Sequence, residues 1–560
     1  MPAPDDRIIV IVGGVAGGAN AATRARRCNE NARIILYEKD GYASFANCGL
    51  PYYLGGEITD RSKLLVAKPE TFRDRHKIEL HTRHEVTKID PLTREVHVLD
   101  RDAGRTFTQR YDRLILAPGA TPIVPPFEGT ASQNVFTLRN MEDTDLIYSF
   151  LHEAMPKRAI VVGAGFIGLE MAEQLHHRGI EVAIVELGPQ VLPPFDPEMA
   201  AMIAEELRGK GVDLHTGDGV KSLNVTSGRV SSVMLNSGTD LRADIVILSI
   251  GVHPANSLAQ DAGIAIDESG AIITDEHMRT SAPGVYAVGD AALYRHGVTG
   301  QALRVPLAGP ANRAGRVAGE HAATDSARPM APVMGTAIIR VFNKTAAVTG
   351  LTTKAARRAK IDAKEAIITA NHHAGYYPGA QSMTLKLVYS AETGKVLGAQ
   401  AIGGDGVDKR IDIISTVLAF GGTVYQLAGV DLCYAPPYSS AKDIVHVAAF
   451  AACNDLDKQS PLAHADTPKD ALQFVDVRNR DECARCRHPA AVNIPVDELR
   501  SRLGELDPSK STLVTCQSGL RGHLATRILK QNGFQNVRNL TGGMMMQERV
   551  YPEELRHKED

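Results

Sequence analysis

Arg7-Ile8-Ile9-Val10-Ile11-Val12-Gly13-Gly14-Val15-Ala16-Gly17-Gly18 is the stretch from which the fold of this chain is read. A short apolar run ends in a glycine loop, and the alanine-rich segment Ala19 to Arg27 then makes a helix. Strand, glycine loop and helix in that order present backbone amides at a helix N-terminus, a place that favours a pyrophosphate. The next strand, Arg33 to Tyr37, ends in Glu38, where a carboxylate can hold a ribose hydroxyl. A glycine fingerprint alone is also what a tight structural turn looks like; strand, helix and acidic residue in order turn it toward a dinucleotide.

The pattern occurs twice. Residues 158–162 (RAIVV) lead into Gly163-Ala164-Gly165-Phe166-Ile167-Gly168, a helix containing Glu170, and the strand Glu181 to Val185 ending in Glu186. Two copies predict two dinucleotide-binding folds in one chain. Glu186 is followed by Leu187 and not by a basic residue. Its carboxylate accepts from a 2′-OH and repels a 2′-phosphate, which predicts NADH over NADPH. Around these copies, Arg94 to Leu99 and Tyr111 to Leu116 read as strands closing on Ala117-Pro118-Gly119-Ala120, and Ile245 to Ile250 runs into Gly251-Val252-His253-Pro254. Gly284-Val285-Tyr286-Ala287-Val288-Gly289-Asp290 puts an aspartate ahead of a helix. Asp290 there suits ribityl hydroxyls or the water near a flavin's phosphates, and equally an ordinary N-cap.

Some thirty residues after the first loop lies Ser44-Phe45-Ala46-Asn47-Cys48-Gly49-Leu50-Pro51. A thiol so placed can meet a flavin. A dithiol with four residues between its cysteines would need a second one at 43 or 53, where Ala43 and Tyr53 stand. The redox partner of Cys48 is therefore expected from outside, as a small thiol or an oxygen atom; the bland alternative is an inert buried cysteine. Asn20, Arg24 and Arg27 share one helix face, and Arg61, Lys63, Lys68, Arg73, Arg75, His76 and Lys77 follow. They read as a solvated charged face or as a site for a phosphate-rich ligand beside Cys48.

With 560 residues the chain is expected to hold roughly three to five domains. Sixty-two basic against 65 acidic residues leave a charge of -3, which argues for neither nucleic acid nor membrane as partner. Seven cysteines, at 28, 48, 433, 453, 483, 486 and 516, do not make a secreted disulfide framework in a chain this long, and a reducing cytoplasm is expected. The start, from Asp5-Asp6-Arg7 into a strand, shows no signal-peptide pattern, and the apolar stretch Ile413 to Val430 is cut by Gly421-Gly422 into a core helix and turn.

From Gly335 to Cys453 the texture changes to strands with a helix or two: Ala337 to Phe342, Met383 to Tyr389, Val396 to Ile402, Asp412 to Ala419. Loop tyrosines gather in Tyr376-Tyr377-Pro378-Gly379 and Tyr434-Ala435-Pro436-Pro437-Tyr438, as loop packing or as reach into a partner's site. A polar linker, Asn454 to Asp470, precedes a last small α/β unit, where Phe474 to Val477 carries Asp476-Val477-Arg478. There Thr512 to Thr515 ends in Cys516-Gln517-Ser518-Gly519-Leu520-Arg521-Gly522. Loop amides, Arg521 and a helix N-terminus are expected to favour a Cys516 thiolate, and Gly522 stands where a phosphatase loop needs arginine. Cys483 and Cys486 have metal-ligand spacing but no matching second pair, so a surface loop and no metal is the expectation. Cys28, Cys433 and Cys453 read as structural.

On these motifs, with Ser44 to Tyr52 the most specific, residues 7 to about 450 resemble the coenzyme A disulfide reductases and related NADH oxidases of the pyridine nucleotide-disulfide oxidoreductase superfamily. Residues 466–560 resemble a rhodanese domain, and the fusion resembles the rhodanese-linked CoA-disulfide reductases, also described as NADH-dependent persulfide reductases. The resemblance implies an α/β chain with an FAD-binding domain in two parts (1–120 and 251–330) and an NAD(H)-binding domain (121–250). It further implies an α+β dimerisation domain (331–453), a linker (454–470) and a rhodanese domain (471–560). It implies cofactor contacts at Gly13, Val15, Ala16, Gly17, Gly18, Glu38, Ala117, Gly119, Gly163, Gly165, Phe166, Ile167, Gly168, Glu186, Gly251, Asp290 and Ala308. CoA contacts carry over onto Asn20, Arg24, Arg27, Ser44, Asn47, Asn312 and Lys442. In the implied homodimer, Tyr434 and one of Tyr376 and Tyr377, with Tyr376 favoured, approach the partner's thiol. One departure stands in the last domain, where Cys483-Ala-Arg-Cys-Arg-His-Pro-Ala-Ala replaces the usual glycine-rich approach to Asn493-Ile494-Pro495.

The expected activity is hydride transfer from NADH through FAD to Cys48, which reduces CoA disulfide, a CoA or other small-thiol persulfide, or polysulfide, while Cys516 handles sulfane sulfur. The rivals are an NADH oxidase or peroxidase cycling through a Cys48 sulfenic acid, and a sulfur-carrier or redox-sensing protein in which only Cys516 works.

Overall fold

The computed structural model describes residues 6–469 and 472–557. Asp5, and Asp470 and Ala471 at the junction of the expected linker and last domain, lie outside them. Two compact units are formed. The first comprises 1–189, 212–296 and 300–333; the second comprises 190–211, 297–299 and 334–560.

The first unit holds two parallel five-stranded sheets with the same plan. In one, Ile8–Val12 lies between Arg33–Glu38 and Arg113–Leu116, with Glu79–Thr82 and Val285–Ala287 at the edges. In the other, Arg158–Val162 lies between Glu181–Glu186 and Ile245–Leu248, with Asp213–Thr216 and Val135–Phe136 outside. Ile9, Val10, Ile11, Ile160 and Val161 are wholly buried, as strands covered on both faces require. Each sheet has a three-stranded antiparallel companion, 84–110 for the first and 220–242 for the second, which the sequence reading did not resolve. The helices Ala16–Cys28 and Ala308–Thr324 pack backbone to backbone: a Cβ at Gly315 would stand 2.3 Å from the Gly17 carbonyl oxygen. That closeness is why both helices are rich in Ala and Gly.

In the second unit an antiparallel sheet runs in the order Ala337–Val341, Lys344–Gly350, Val396–Gly403, Ser382–Ser390, Ala363–Asn371, backed by the helices Val407–Ala419 and Ile444–Leu456. Helix Pro197–Gly209, expected inside the NAD(H)-binding span, clusters here. The reason is charge: buried Lys386 Nζ lies 2.9 Å from Asp196, 2.6 Å from Glu365 and against Glu198. The last sheet is parallel, in the order Leu462–Ala463, Val537–Leu540, Thr512–Thr515, Gln473–Asp476, Val492–Asn493. The first part of the stretch read as a linker, 454–463, is therefore built into the fold. Its first residues finish helix Ile444–Leu456, whose buried Asp455 accepts from Lys364, Tyr389 and the Leu462 amide, and Leu462–Ala463 is an edge strand. Polar composition misled there because Asp455 is a buried hub and not a solvated residue.

Candidate active site

The first glycine loop has the shape its sequence promises. Gly13 has φ +93°, and a Cβ on it would lie 2.1 Å from the Ala117 oxygen; one on Gly18 would lie 1.8 Å from the Gly13 oxygen. No other residue fits either place. Glu38, at the end of the second strand, accepts from Gly14 N (2.7 Å) and Asp40 N (3.0 Å). Burial pushes its carboxyl up, against those two amides. Gly13 and Glu38 line a cavity of about 660 Å³ together with Val15, Ala16, Gly17, Ala117, Gly119, Asp290, Ala308 and Cys48. Ala308 is the first residue of a 17-residue helix, so a positive dipole end borders the cavity. Loop amides, a buried acid on the second strand and a helix N-terminus on one long cleft fit a flavin dinucleotide. Gly18 and Gly251 do not line the cavity; the first is packed on Gly13, and the second turns the chain at φ +129° before Val252–Pro254.

Cys48 stands in a 3-10 turn, Asn47–Gly49, that runs directly into helix Leu50–Gly55. The sulfur is open to the cavity, and no other cysteine of the described residues lines it. Burial on its protein side raises the thiol's pKa, Glu170 and Asp290 raise it further, and Arg139 opposes them. Arg139 is the residue the sequence reading missed. Its guanidinium bonds Asp290 at 2.8 Å, its carbonyl holds the Asn47 side chain, and it lines the cavity. It sits in an irregular loop before helix Met141–Glu153, with no motif of its own; the one local signal is the N-cap Asn140 beside it. Asp290 is thus an ion-pair partner on the cavity wall, in a single turn Gly289–Ala291 that has no helix to cap.

The second loop repeats the first. Gly163 has φ +104° against Ser249, and a Cβ on Gly168 would lie 2.0 Å from the Gly163 oxygen. Gly165 caps helix Phe166–His177, so Phe166 and Ile167 supply its first amides. A Cβ on Gly165 would meet no atom within 4 Å. Glu186 accepts from Ala164 N (2.8 Å) and Gly188 N (2.7 Å), the same grip that Glu38 makes.

Of the residues expected at CoA, Asn20 and Asn312 meet directly, Nδ2 to Oδ1 at 3.1 Å. Arg24 is paired with Glu320, while Arg27 is exposed on the same helix. Ser44, in the left-handed region at φ 53°, joins its amide to the Gly14 carbonyl. The cations after Cys48 are only in part an open basic face: Arg61 is locked to Asp145 at 2.6 Å and Arg73 to Asp74 at 2.8 Å. Exposed Lys442, Tyr376 and Tyr434 belong to the second unit.

In the last domain Cys516 is buried at the end of Thr512–Thr515, and Gly519 N donates to its sulfur at 3.1 Å. Arg521 gives two nitrogens to Glu482 at 2.6 and 2.7 Å, which holds the Glu482 carboxyl down at about 2, and it stays near enough to Cys516 for the two to interact electrostatically. A Cβ on Gly522 would lie 2.1 Å from Asn539 Oδ1, so a larger residue there would have to displace that side chain. Cys483 and Cys486 correct the sequence reading: both are buried, in helix Arg480–Arg485 and strand Cys486–Arg487, and not in a surface loop. Burial pushes each thiol up to about 12.

Comparison with known proteins agrees with this geometry. Residues 7–315 match the family model of pyridine nucleotide-disulphide oxidoreductases, 336–445 that of their dimerisation domain, and 462–546 that of rhodanese-like domains. A coenzyme A disulfide reductase of Staphylococcus haemolyticus (strain JCSC1435) is 35% identical over 448 residues, 80% of this chain and 99% of that protein. The structure of reduced Bacillus anthracis CoADR-RHD is 42% identical with a TM-score of 0.95, covering 99% of this chain and 100% of that one. A NAD-dependent persulfide reductase from A. fulgidus is 37% identical with a TM-score of 0.89, over 96% and 99%. Among the described residues no helix is long and apolar enough to cross a membrane.

Proposed function

The chain belongs to the pyridine nucleotide-disulphide oxidoreductase family and carries a rhodanese-like domain, and on that premise we propose that it is an NADH-dependent flavoprotein reducing CoA disulfide, CoA persulfide or related persulfides and polysulfide through Cys48. The observation that carries this reading is a lone cysteine open to a cavity built like a flavin site. FAD bound there supplies a two-electron relay between a nicotinamide and a sulfur atom.

Cys48, as thiolate, attacks one sulfur of a disulfide; a Cys48–sulfur bond forms and one thiolate leaves. Two electrons originating in NADH then break the new bond, releasing the second thiol, or hydrosulfide when the atom taken was a sulfane sulfur, and restoring Cys48. Arg139 opposes the carboxylates around the thiol and so eases its ionisation. Glu186 favours NADH over NADPH by meeting a 2′-OH. Asn20, Arg24, Arg27, Ser44, Asn47, Asn312 and Lys442 are proposed to hold CoA. The protein acts as a homodimer in which Tyr376 and Tyr434 of one subunit serve the other's thiol. Cys516 loads sulfane sulfur that CoA collects.

The test is NADH turnover with each of CoA disulfide, CoA persulfide, glutathione persulfide and polysulfide, beside mass spectrometry of small thiols released by reductant. Turnover on CoA disulfide or persulfide that is lost in Cys48→Ser, with flavin content kept, is expected. NADH consumption that needs only oxygen would instead make the protein an oxidase.

A further inference from the structure

Cys483 and Cys486 have no part in the reactions above, and Cys486 is not isolated. It opens the strand Cys486–Arg487, which pairs antiparallel with Arg556–His557 in a register that sets Cys486 opposite His557. The sulfur lies 4.0 Å from His557 Nε2. From a third element, helix Gly543–Val550, Glu548 brings a carboxylate oxygen to within 4.8 Å of the same sulfur. One donor atom from each of Cys486, Glu548 and His557 lies within 4.8 Å of the other two. Met544 and Leu555 pack on Cys486 and close the apolar side.

We propose that Cys486, Glu548 and His557 form a binding site for a divalent cation of the zinc class. Thiolate sulfur, imidazole nitrogen and carboxylate oxygen are the donors zinc takes, and tetrahedral bonding puts sulfur and nitrogen ligands roughly 3.5 Å apart. The observed 4.0 Å closes to that with a side-chain shift of about half an ångström. Three protein ligands leave one position for water. Two other clusters of possible ligands fare worse: Asp196, Glu198 and Glu365 surround the Lys386 ammonium, and Glu57, Glu173 and His177 offer no sulfur. On binding, the Cys486 S–H bond breaks, its proton passes to solvent and a metal–sulfur bond forms; nothing is oxidised or reduced. The ion fastens the C-terminal strand to the segment following helix Arg480–Arg485, the helix whose Glu482 holds Arg521 of the Cys516 loop.

Cobalt(II) titration of the full-length flavoprotein tests the site, in a background where Cys48, Cys433 and Cys516 are Ser so that those thiols cannot bind. One equivalent with the intense d–d bands of a tetrahedral thiolate site, beyond the flavin absorption, is expected. Cys486→Ser abolishes the bands, and His557→Ala and Glu548→Gln each weaken binding by about tenfold or more. His557 is exposed, so its variant keeps the fold and tests the site even if Cys486→Ser does not accumulate. Equal cobalt affinity in the background protein and in His557→Ala overturns the proposal, as does cobalt binding without thiolate bands.

Discussion

The phenol oxygens of Tyr376 and Tyr434 lie 2.9 Å apart, joining two loops 58 residues distant in sequence, although the side chains are 77% and 47% exposed. The shared hydrogen bond, ahead of any burial, raises the Tyr376 pKa. In the proposed reaction one phenol proton lies between the two oxygens and the other serves a leaving thiolate. Tyr376→Phe and Tyr434→Phe should each lower turnover on CoA disulfide by about tenfold or more. Stopped-flow reduction of the flavin by NADH should be unchanged, and a slowed reductive phase would remove the pair from thiol protonation.

The charges around Cys48 set a pH profile with a definite sign. Burial first, then Glu170 and Asp290, hold its pKa above the ordinary thiol value. The reactive thiolate therefore grows as pH rises, and disulfide reduction should climb with pH through the neutral range. Glu170→Gln removes a raising charge and moves the rise to lower pH; Arg139→Met removes the lowering one and moves it higher. Profiles of kcat/KM that coincide for all three proteins would deny the coupling.

Glu186 and Glu38 make the same two-amide grip, in which each carboxylate oxygen accepts from one amide and has a second lone pair to offer. Glu186→Ala should narrow the preference for NADH over NADPH by about 1–3 kcal/mol, the cost of a half-buried acceptor lost. Steady-state kcat/KM for both nucleotides measures it. A wild-type protein that already prefers NADPH would refute the role given to Glu186.

Both glycine loops, their strands and their acids were legible because a tight turn under a helix admits only glycine at Gly13, Gly18, Gly163 and Gly168. Cys48 was legible through its neighbours in the motif. Arg139 was not, since its importance is an ion pair with Asp290 across 151 residues, which no local pattern encodes. Arg521 was legible as a loop residue but not as one neutralised by Glu482. The Lys386 cluster was hidden for the same reason: Asp196 and Glu198 in one segment and Glu365 in another look, in sequence, like solvated surface.

That cluster predicts how stability depends on pH. Burial lowers the pKa of His464, but its 2.8 Å hydrogen bond and charge attraction to Glu365 outweigh burial, and the net shift is upward from 6.5. A group with a raised folded pKa stabilises fully below its unfolded pKa, and that stability is lost as pH rises through the folded value. Chemical denaturation should therefore show stability falling above neutrality. His464→Asn should be weaker at low pH by about 1.5–3 kcal/mol, as for a hydrogen bond to a charged group, and should lose most of the slope. An unchanged slope would place the titration elsewhere.

The remaining prediction concerns Cys516 and Cys48 working in series. Cys516 is buried with one amide on its sulfur, a place that can hold a persulfide but accepts only what reaches the loop. Exposed Leu520 and Leu524 flank that loop, and its arginine is neutralised by Glu482. CoA ends in a thiol on a long flexible arm, which can collect the outer sulfur at Cys516 and present it to Cys48, and holding both sites in one chain raises the effective concentration of each for the other. Cys516→Ser should then lose NADH oxidation driven by sulfane donors that load the rhodanese-like domain, yet reduce preformed CoA persulfide at close to the wild-type rate. Cys48→Ser should lose both. The two variants separate the steps cleanly: a Cys516→Ser protein equal to wild type with every donor would leave the second cysteine without a role in turnover, and one as inactive as Cys48→Ser toward preformed CoA persulfide would mean that sulfur reaches Cys48 only from Cys516.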